Sequence, residues 1–482
     1  MDRDKIKVNR IMTAAIKSGS GKTMVTAGLI RALVKKGLKV HAKKCGPDYI
    51  DPMYLRIASQ GKTGNLDPFF CSRDMLRYLI ASEGWESDIT VIEGVMGYYD
   101  GLGGVSEKGS SYDAATATKT PVVMIVDSKG LSVTLSAVIK GVLEYRRDNL
   151  IQGIILNRIS SSFYERIAPC IETECGIRVL GYVPELKDAA IGSRHLGLTM
   201  PFENDGIAEK IDRIADIISE TVDIEAFITL AGTAEPIDPG IPAELAAVLS
   251  GDEARIIKKT APVIAVAGDE AFAFCYDDNL KLLEELGGCI KFFSPIHDKE
   301  IPKDASGIIF YGGYPEEYAG ELSANKTMLA SVRKAHSDGI PIIAECGGFM
   351  YLSNELEDKE GNVFDMCGVI PGKTFYAGRA IRFGYFEAKA LKSGLYGREG
   401  TVFRGHEFHH WDCSANGEDF EAAKPMSDKR YTCIFHDDTI AAGFPHVYAY
   451  SSPEMYLNFL YKCALRCSGT TDAEAPEKGK KC

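Results

Sequence analysis

Two short strings in this chain combine residue types that do chemistry. The first is Lys17-Ser18-Gly19-Ser20-Gly21-Lys22-Thr23, between an apolar run at 9–14 and an amphipathic stretch at 22–36. In that setting glycines let backbone N–H groups close around phosphate oxygens at a helix N-terminus. Lys22 then reaches the β- and γ-phosphates of ATP, and the Thr23 hydroxyl helps to hold Mg²⁺. The loop departs from the usual GxxxxGK[ST] spacing, because Ile16 stands where its first glycine belongs. Lys17 either matches the additional lysine of variant phosphate loops or is a solvated loop lysine.

The second string, PIIAECGGFM at Pro341–Met350, reads as a buried strand, then Cys-Gly-Gly, then a helix start. A nucleophile on a sharp strand-to-helix turn is lifted above the sheet beside a helix N-terminus, which favours the thiolate. Cys346 is therefore the candidate nucleophile. The backbone N–H groups of Gly312, Gly313 and Gly347 are candidates for an oxyanion hole. The base should be a histidine, and spacing alone leaves His406, His409, His410 and His446 eligible.

Further candidates flank the phosphate loop. In open α/β sheets ligands bind at the carboxyl ends of strands. Lys44–Pro52 supplies Asp48, Tyr49 and Asp51, and Glu93 ends the run ITVIEG. Asp48 and Glu93 are candidate Mg²⁺ carboxylates, and Asp48, Tyr49 and Asp51 candidate substrate contacts. The plainer reading of Asp48 and Asp51 is turn formation beside Pro47 and Pro52. Asn157, ending another buried strand, either reads the nucleotide base or closes a turn.

The elements that must position these residues are short β-rich runs alternating with helical patterns, which imply a mostly parallel sheet. A first series fills 1–232. Residues 233–260 read as a linker, because TLAGTAEPIDPG is small, polar and Pro/Gly-rich. A second αβ series fills 261–467, turns to hairpin-like strands after Cys367 and closes with a helix at Pro453–Leu465. The polar tail, 468–482, reads as disordered. A chain of 482 residues accommodates such an arrangement at about 150 residues per domain. The formal net charge of −12 argues against nucleic acid as a partner. The N-terminus shows no signal-peptide pattern and no apolar run reaches about 18 residues, so no membrane partner is expected. An odd, scattered set of 13 cysteines fits reduced thiols in a cytoplasmic protein.

Several strings occur together and in order: GSGKT, GPDYIDP, NLDP, EGVMGYYDG, ILNR, SRHLGL, GGYPE, ECGGFMYL and GHEFHH. In these the chain resembles the cobyrinate a,c-diamide synthase family over about residues 8–465. The resemblance implies a dethiobiotin-synthetase-like ATP domain followed by a class I glutamine amidotransferase domain. It implies that Cys346 is the glutaminase nucleophile and His446 its base. Class I domains carry a Glu two residues after that histidine and this family a second His, whereas this chain has Tyr448. No third member of the triad is assigned. The GYFEA segment also departs from the more usual GYREA. The implied reaction is ATP-dependent amidation of tetrapyrrole carboxylates with nitrogen from glutamine, with Arg194, Lys43 and Lys44 as candidates to orient the acidic substrate.

The same strings would serve on nickel-sirohydrochlorin or hydrogenobyrinate. A partitioning or positioning ATPase would explain Lys17 but not the Cys346 region. A paralogue with a weakened glutaminase would explain Tyr448. Oligomeric state is open, a homodimer included.

Overall fold

The computed structural model describes residues 5–186, 193–194, 197–204 and 206–468. The expected disordered tail lies outside the described residues except Ser468, which ends the last helix, Pro453–Ser468. The chain divides into two compact units, Met1–Pro242 and Ala243–Cys482.

The first unit is built on seven strands: β1 (Arg10–Ala15), β2 (Val40–Cys45), β3 (Thr63–Leu66), β4 (Ile89–Glu93), β5 (Val122–Asp127), β6 (Ile151–Asn157) and β7 (Val179–Val183). Their order across the sheet is β3-β2-β4-β1-β5-β6-β7, and every pairing is parallel. All six residues of β1 are buried, as are all five of β4. Helices on both faces account for those continuous apolar runs. The chain leaves β1 in one direction for β2 and returns past it for β5. This reversal opens a crevice at the carboxyl ends of β1 and β4, where Thr13 is in register with Glu93. Helix α1 (Lys22–Lys35) starts at that edge, and Thr13 and Thr26 join hydroxyls at 2.8 Å to tie it to β1.

The second unit has a six-stranded sheet. Its order is Cys289–Phe293, Val263–Ala267, Gly307–Phe310, Ile342–Glu345, Ile440–Gly443 and Phe435–His436. The first five strands are parallel and the last antiparallel. The hairpin pattern after Cys367 becomes a separate five-stranded antiparallel sheet, including Arg382–Ala390, Val402–His409 and His446–Val447. Phe386, Ala388 and Ala390 are buried while Glu387 and Lys389 are exposed, the alternation of a half-covered sheet.

The linker expectation is corrected in part. Residues 233–242 are irregular, but Ala243–Ser250 and Asp252–Thr260 are helices of the second unit. Both pack on the last helix, with Leu245, Ala254 and Ile257 fully buried. The Pro/Gly-rich opening obscured the spacing of Leu245, Val248, Ala254 and Ile257, which is that of an amphipathic pair.

Candidate functional site

The phosphate loop turns from β1 into α1 through residues 16–21. Gly19 and Gly21 hold φ of 76° and 80°, the left-handed region open to glycine. A Cβ on Gly21 would stand 2.5 Å from Nδ2 of Asn157. That amide donates to the Ser20 carbonyl at 2.8 Å, and its Oδ1 accepts from Arg158 N at 3.0 Å. Asn157 thus braces the loop, a task the sequence did not suggest beside base reading. Arg158 pairs with Asp127 at the end of β5 and donates to the Gly19 carbonyl at 2.9 Å. Lys17 is exposed, with Nζ 4.0 Å from Asp127, and Ser18 beside it is also exposed. Asp127 and Arg158 were not singled out from sequence. Their places at or just beyond strand ends are the signal that would have found them.

Beneath the loop lies a buried charge cluster. Thr23 Oγ1 donates to Glu93 Oε1 at 2.8 Å, and Lys44 Nζ donates to the same oxygen at 3.0 Å. Lys44 also pairs with Asp51 at 2.7 Å. Burial alone would discharge Lys44, but Asp51 and Glu93 outweigh it and hold the ammonium above its ordinary range. Burial would raise Asp51 too, yet Lys44 draws it below the usual carboxylate value. Burial and the neighbouring Asp51 push Asp48 up to about 7, against the pull of Lys44. Its Oδ1 accepts from Ile50 N at 2.8 Å and Asp51 N at 3.0 Å, so it does form the turn that opens the helix Ile50–Ser59. Tyr49 is buried beside it. Lys22 is lowered by burial and then by Lys44, and Nζ reaches the Met96 carbonyl at 3.3 Å.

Two basic candidates fare differently. Lys43, on the opposite face of β2 from Lys44, is fully buried and paired with Glu83 at 2.7 Å. It cannot orient a substrate at this edge. Arg194 lies in the two-residue strand Ser193–Arg194, and its side chain is outside the described residues.

The cluster suits a magnesium ion. Glu93 is fully buried, and its Oε2 has no hydrogen-bond partner. An orphaned carboxylate oxygen beside a threonine hydroxyl is a hard-oxygen donor pair, and Mg²⁺ on a nucleotide takes one or two protein carboxylates plus phosphate oxygens. Among the described residues no group of three or more His, Cys, Asp or Glu is arranged to hold a metal by itself.

In the second unit Cys346 ends the strand Ile342–Glu345 and precedes the helix Gly347–Leu352, at φ 48° and ψ −103°. Its N–H donates to the Gly443 carbonyl at 2.8 Å on the adjacent strand. Burial, then Glu316, pushes the resting thiol above its ordinary range. His446 comes from the antiparallel sheet, in register with His406, and the two rings stack at 5.0 Å. A Cβ on Gly312 would stand 2.5 Å from His446 Cε1, and one on Gly347 would stand 3.0 Å from Gly313 N. The structure therefore gathers the GGYP loop, the Cys-Gly-Gly turn and His446 where the two sheets meet.

The other histidines are engaged elsewhere. His409 Nδ1 lies 2.6 Å from the Trp411 carbonyl and its ring stacks on Phe444 at 3.9 Å. His406 Nδ1 faces the Tyr276 hydroxyl at 3.4 Å, and His410 packs on Phe408. Burial, partly offset by Glu407, lowers His446 to about 4, so the imidazole is neutral and able to accept a proton. Tyr448 points away and donates to Asp278 at 2.9 Å. Among the described residues no cysteine is in a disulfide.

A phosphate loop with an orphaned carboxylate, joined to a cysteine elbow with a neutral histidine, defines an ATP-using glutamine amidotransferase. Residues 11–198 match a CobQ/CobB/MinD/ParA nucleotide binding domain, and residues 263–453 a CobB/CobQ-like glutamine amidotransferase domain. The chain is 34% identical over 456 residues to cobyrinate a,c-diamide synthase of Caldanaerobacter subterraneus subsp. tengcongensis, covering 94% of this chain and 98% of that one. The enzymes of that name from Listeria monocytogenes serotype 4b (39%, 84% and 87%) and Salmonella typhimurium (37%, 93% and 96%) are similarly close. The chain belongs to the cobyrinate a,c-diamide synthase family.

Proposed function

We propose that this chain amidates the a- and c-side-chain carboxylates of cobyrinate, using ATP as activator and glutamine as nitrogen source. The observation that carries the reading is the pairing, in one chain, of the Thr23–Glu93 phosphate site with the Cys346–His446 site.

A carboxylate resists attack by ammonia because it has no leaving group. Transfer of the γ-phosphoryl of ATP gives an acyl phosphate, and ammonia then displaces phosphate to leave the amide. Lys22 holds the phosphates and stabilises the transferring charge, and Lys17 at the exposed lip adds a second cation. Asn157 and Arg158 fix the loop that presents its N–H groups. Thr23, Glu93 and Asp48 would hold magnesium, which neutralises phosphate charge when bound. Asp48, Tyr49, Asp51 and Arg194 are the residues we assign to the substrate side.

Glutamine is opened in the second unit. The Cys346 thiol proton passes to His446 as Sγ bonds to the side-chain carbonyl carbon. The Gly313 and Gly347 N–H groups, beside Gly312, receive the oxyanion. The C–N bond breaks as His446 returns the proton to the leaving ammonia, and water hydrolyses the thioester to glutamate.

The test is amide formation followed by mass spectrometry with cobyrinate and, in parallel, nickel-sirohydrochlorin. Cys346→Ala should abolish product with glutamine and keep it with ammonia. Product from the nickel compound alone would move the substrate assignment. Among the described residues no helix is long and apolar enough to cross a membrane.

A further inference from the structure

The position two residues after His446 holds Tyr448, whose hydroxyl is committed to Asp278. An imidazole that takes a proton in a buried site still gains from a carboxylate on its far nitrogen. The second unit places one there. Glu345 Oε2 lies 3.7 Å from His446 Nδ1, and both side chains are buried. Among the described residues no side chain hydrogen-bonds either carboxylate oxygen of Glu345, and the Val447 backbone alone helps to hold its charge. A buried carboxyl group left in this state is costly and calls for a reason.

We infer that Glu345 is the positioning acid of the glutaminase, supplied from the residue before the nucleophile. This rests on the reading of Cys346 and His446 given above. With Nδ1 turned toward Glu345, the nitrogen left for the thiol is Nε2. The resting separation is an ion-pair distance and is too long for a hydrogen bond. It closes as the imidazolium forms, because opposite charges then face each other in a dry site. Burial disfavours either charge alone, drawing Glu345 above the usual carboxylate range and His446 below the usual imidazole one, so the carboxylate and the imidazolium each favour the other's charged form. Of the other titratable groups around the ring, Glu407 also favours the imidazolium, but no contact joins it to Nδ1 as one joins Glu345. His406 stacks flat on the ring, and Glu407 is engaged by Tyr431 at 2.5 Å and faces Arg382 at 3.7 Å.

The adjacency has a simple geometric origin. Successive strand residues point to opposite faces, so Glu345 and a continuing strand residue could not meet one ligand. Cys346 does not continue the strand: its left-handed φ redirects the thiol, which lets neighbours serve one site.

The test uses the full chain with Glu345→Gln and Glu345→Asp, read as kcat and KM for glutamine, with ammonia-supported amide formation of the same preparation as the folding control. Glu345→Gln should lower kcat with glutamine by about 10²-fold, the scale of a proton-transfer contribution, with KM nearly unchanged. Glu345→Asp should recover much of that loss. A Gln variant within about threefold of the parent overturns the proposal, since that is far below the expected contribution. So does a loss that Asp does not relieve, which marks a packing residue. If neither variant folds, the unsubstituted protein decides: after Cys346 is alkylated by a glutamine-like diazoketone, proton NMR should show a strongly downfield Nδ1–H resonance. Its absence overturns the proposal. Persistence of glutamine-dependent product in Cys346→Ala would instead overturn the underlying glutaminase reading.

Discussion

At the scale of single residues, burial sets most of the chemistry. His446 is lowered to about 4, chiefly by desolvation. A base with a depressed pKa stays unprotonated until the pH falls to that value, so activity is lost only below it. The kcat/KM for glutamine hydrolysis should therefore hold its plateau through the ordinary histidine range near pH 6.5, and fall nearer pH 4–5. A midpoint near 6.5 in the pH profile would show that His446 is not the group that limits the acid side. Glu93 makes a separate case. Its two oxygens divide their work: one is held by Thr23 and Lys44, and the other is unpartnered. Glu93→Gln should cut ATP-dependent amide formation by at least about a hundredfold with either nitrogen source, while glutamate release persists. Loss of glutamate release in the same variant would contradict the division of labour.

At the scale of elements, the helices at 243–260 anchor the second unit. Ile257 is fully buried between Asp252–Thr260 and the helix that closes the chain. Ile257→Ala should destabilise that unit by about 2–5 kcal/mol, read as a lower midpoint in denaturant or heat. A change within about 0.5 kcal/mol, the range of surface substitutions, would mean that the segment is the linker its composition suggested. Legibility also divides along elements. The β1–loop–α1 unit and the Cys346 elbow were legible because each is written in contiguous residues with fixed backbone demands. Spacing left His446 among four histidines, and what distinguishes it is packing from distant segments, against Gly312 and near Glu345. The contacts of Asn157, Arg158 and Lys43 were not legible for a related reason. Which face of a strand a polar residue takes, and what waits there, is settled by packing from distant segments such as Glu83 and Ser20. The helical pair at 243–260 was hidden by its prolines and glycines upstream.

At the scale of the molecule, each unit carries the groups proposed for one half-reaction, so the two half-reactions can be measured apart. The chain as a whole bears −12 and is proposed to take a substrate rich in carboxylates. Long-range repulsion should then oppose encounter, and salt should relieve it as the Debye length shortens to about 8 Å at physiological ionic strength. KM for cobyrinate is expected to fall as salt is raised from very low values. A rise would instead mean that a local cationic field, with Lys17 and Arg194 among its sources, governs entry.

The backbone at Cys346 carries one more implication. A side chain at φ 48° and ψ −103° sits where only glycine is at ease, at a cost of about 1–3 kcal/mol. Relief of that strain should offset much of what Cys346→Gly loses in burial and in a freer unfolded chain, so a variant that cannot open glutamine should melt within a few degrees of the parent in parallel scans. Thermal robustness alone would then do little to retain this thiol. On the proposed glutaminase reading only hydrolysis holds the elbow in place, so an inactive descendant of this chain should lose the thiol with little change in stability.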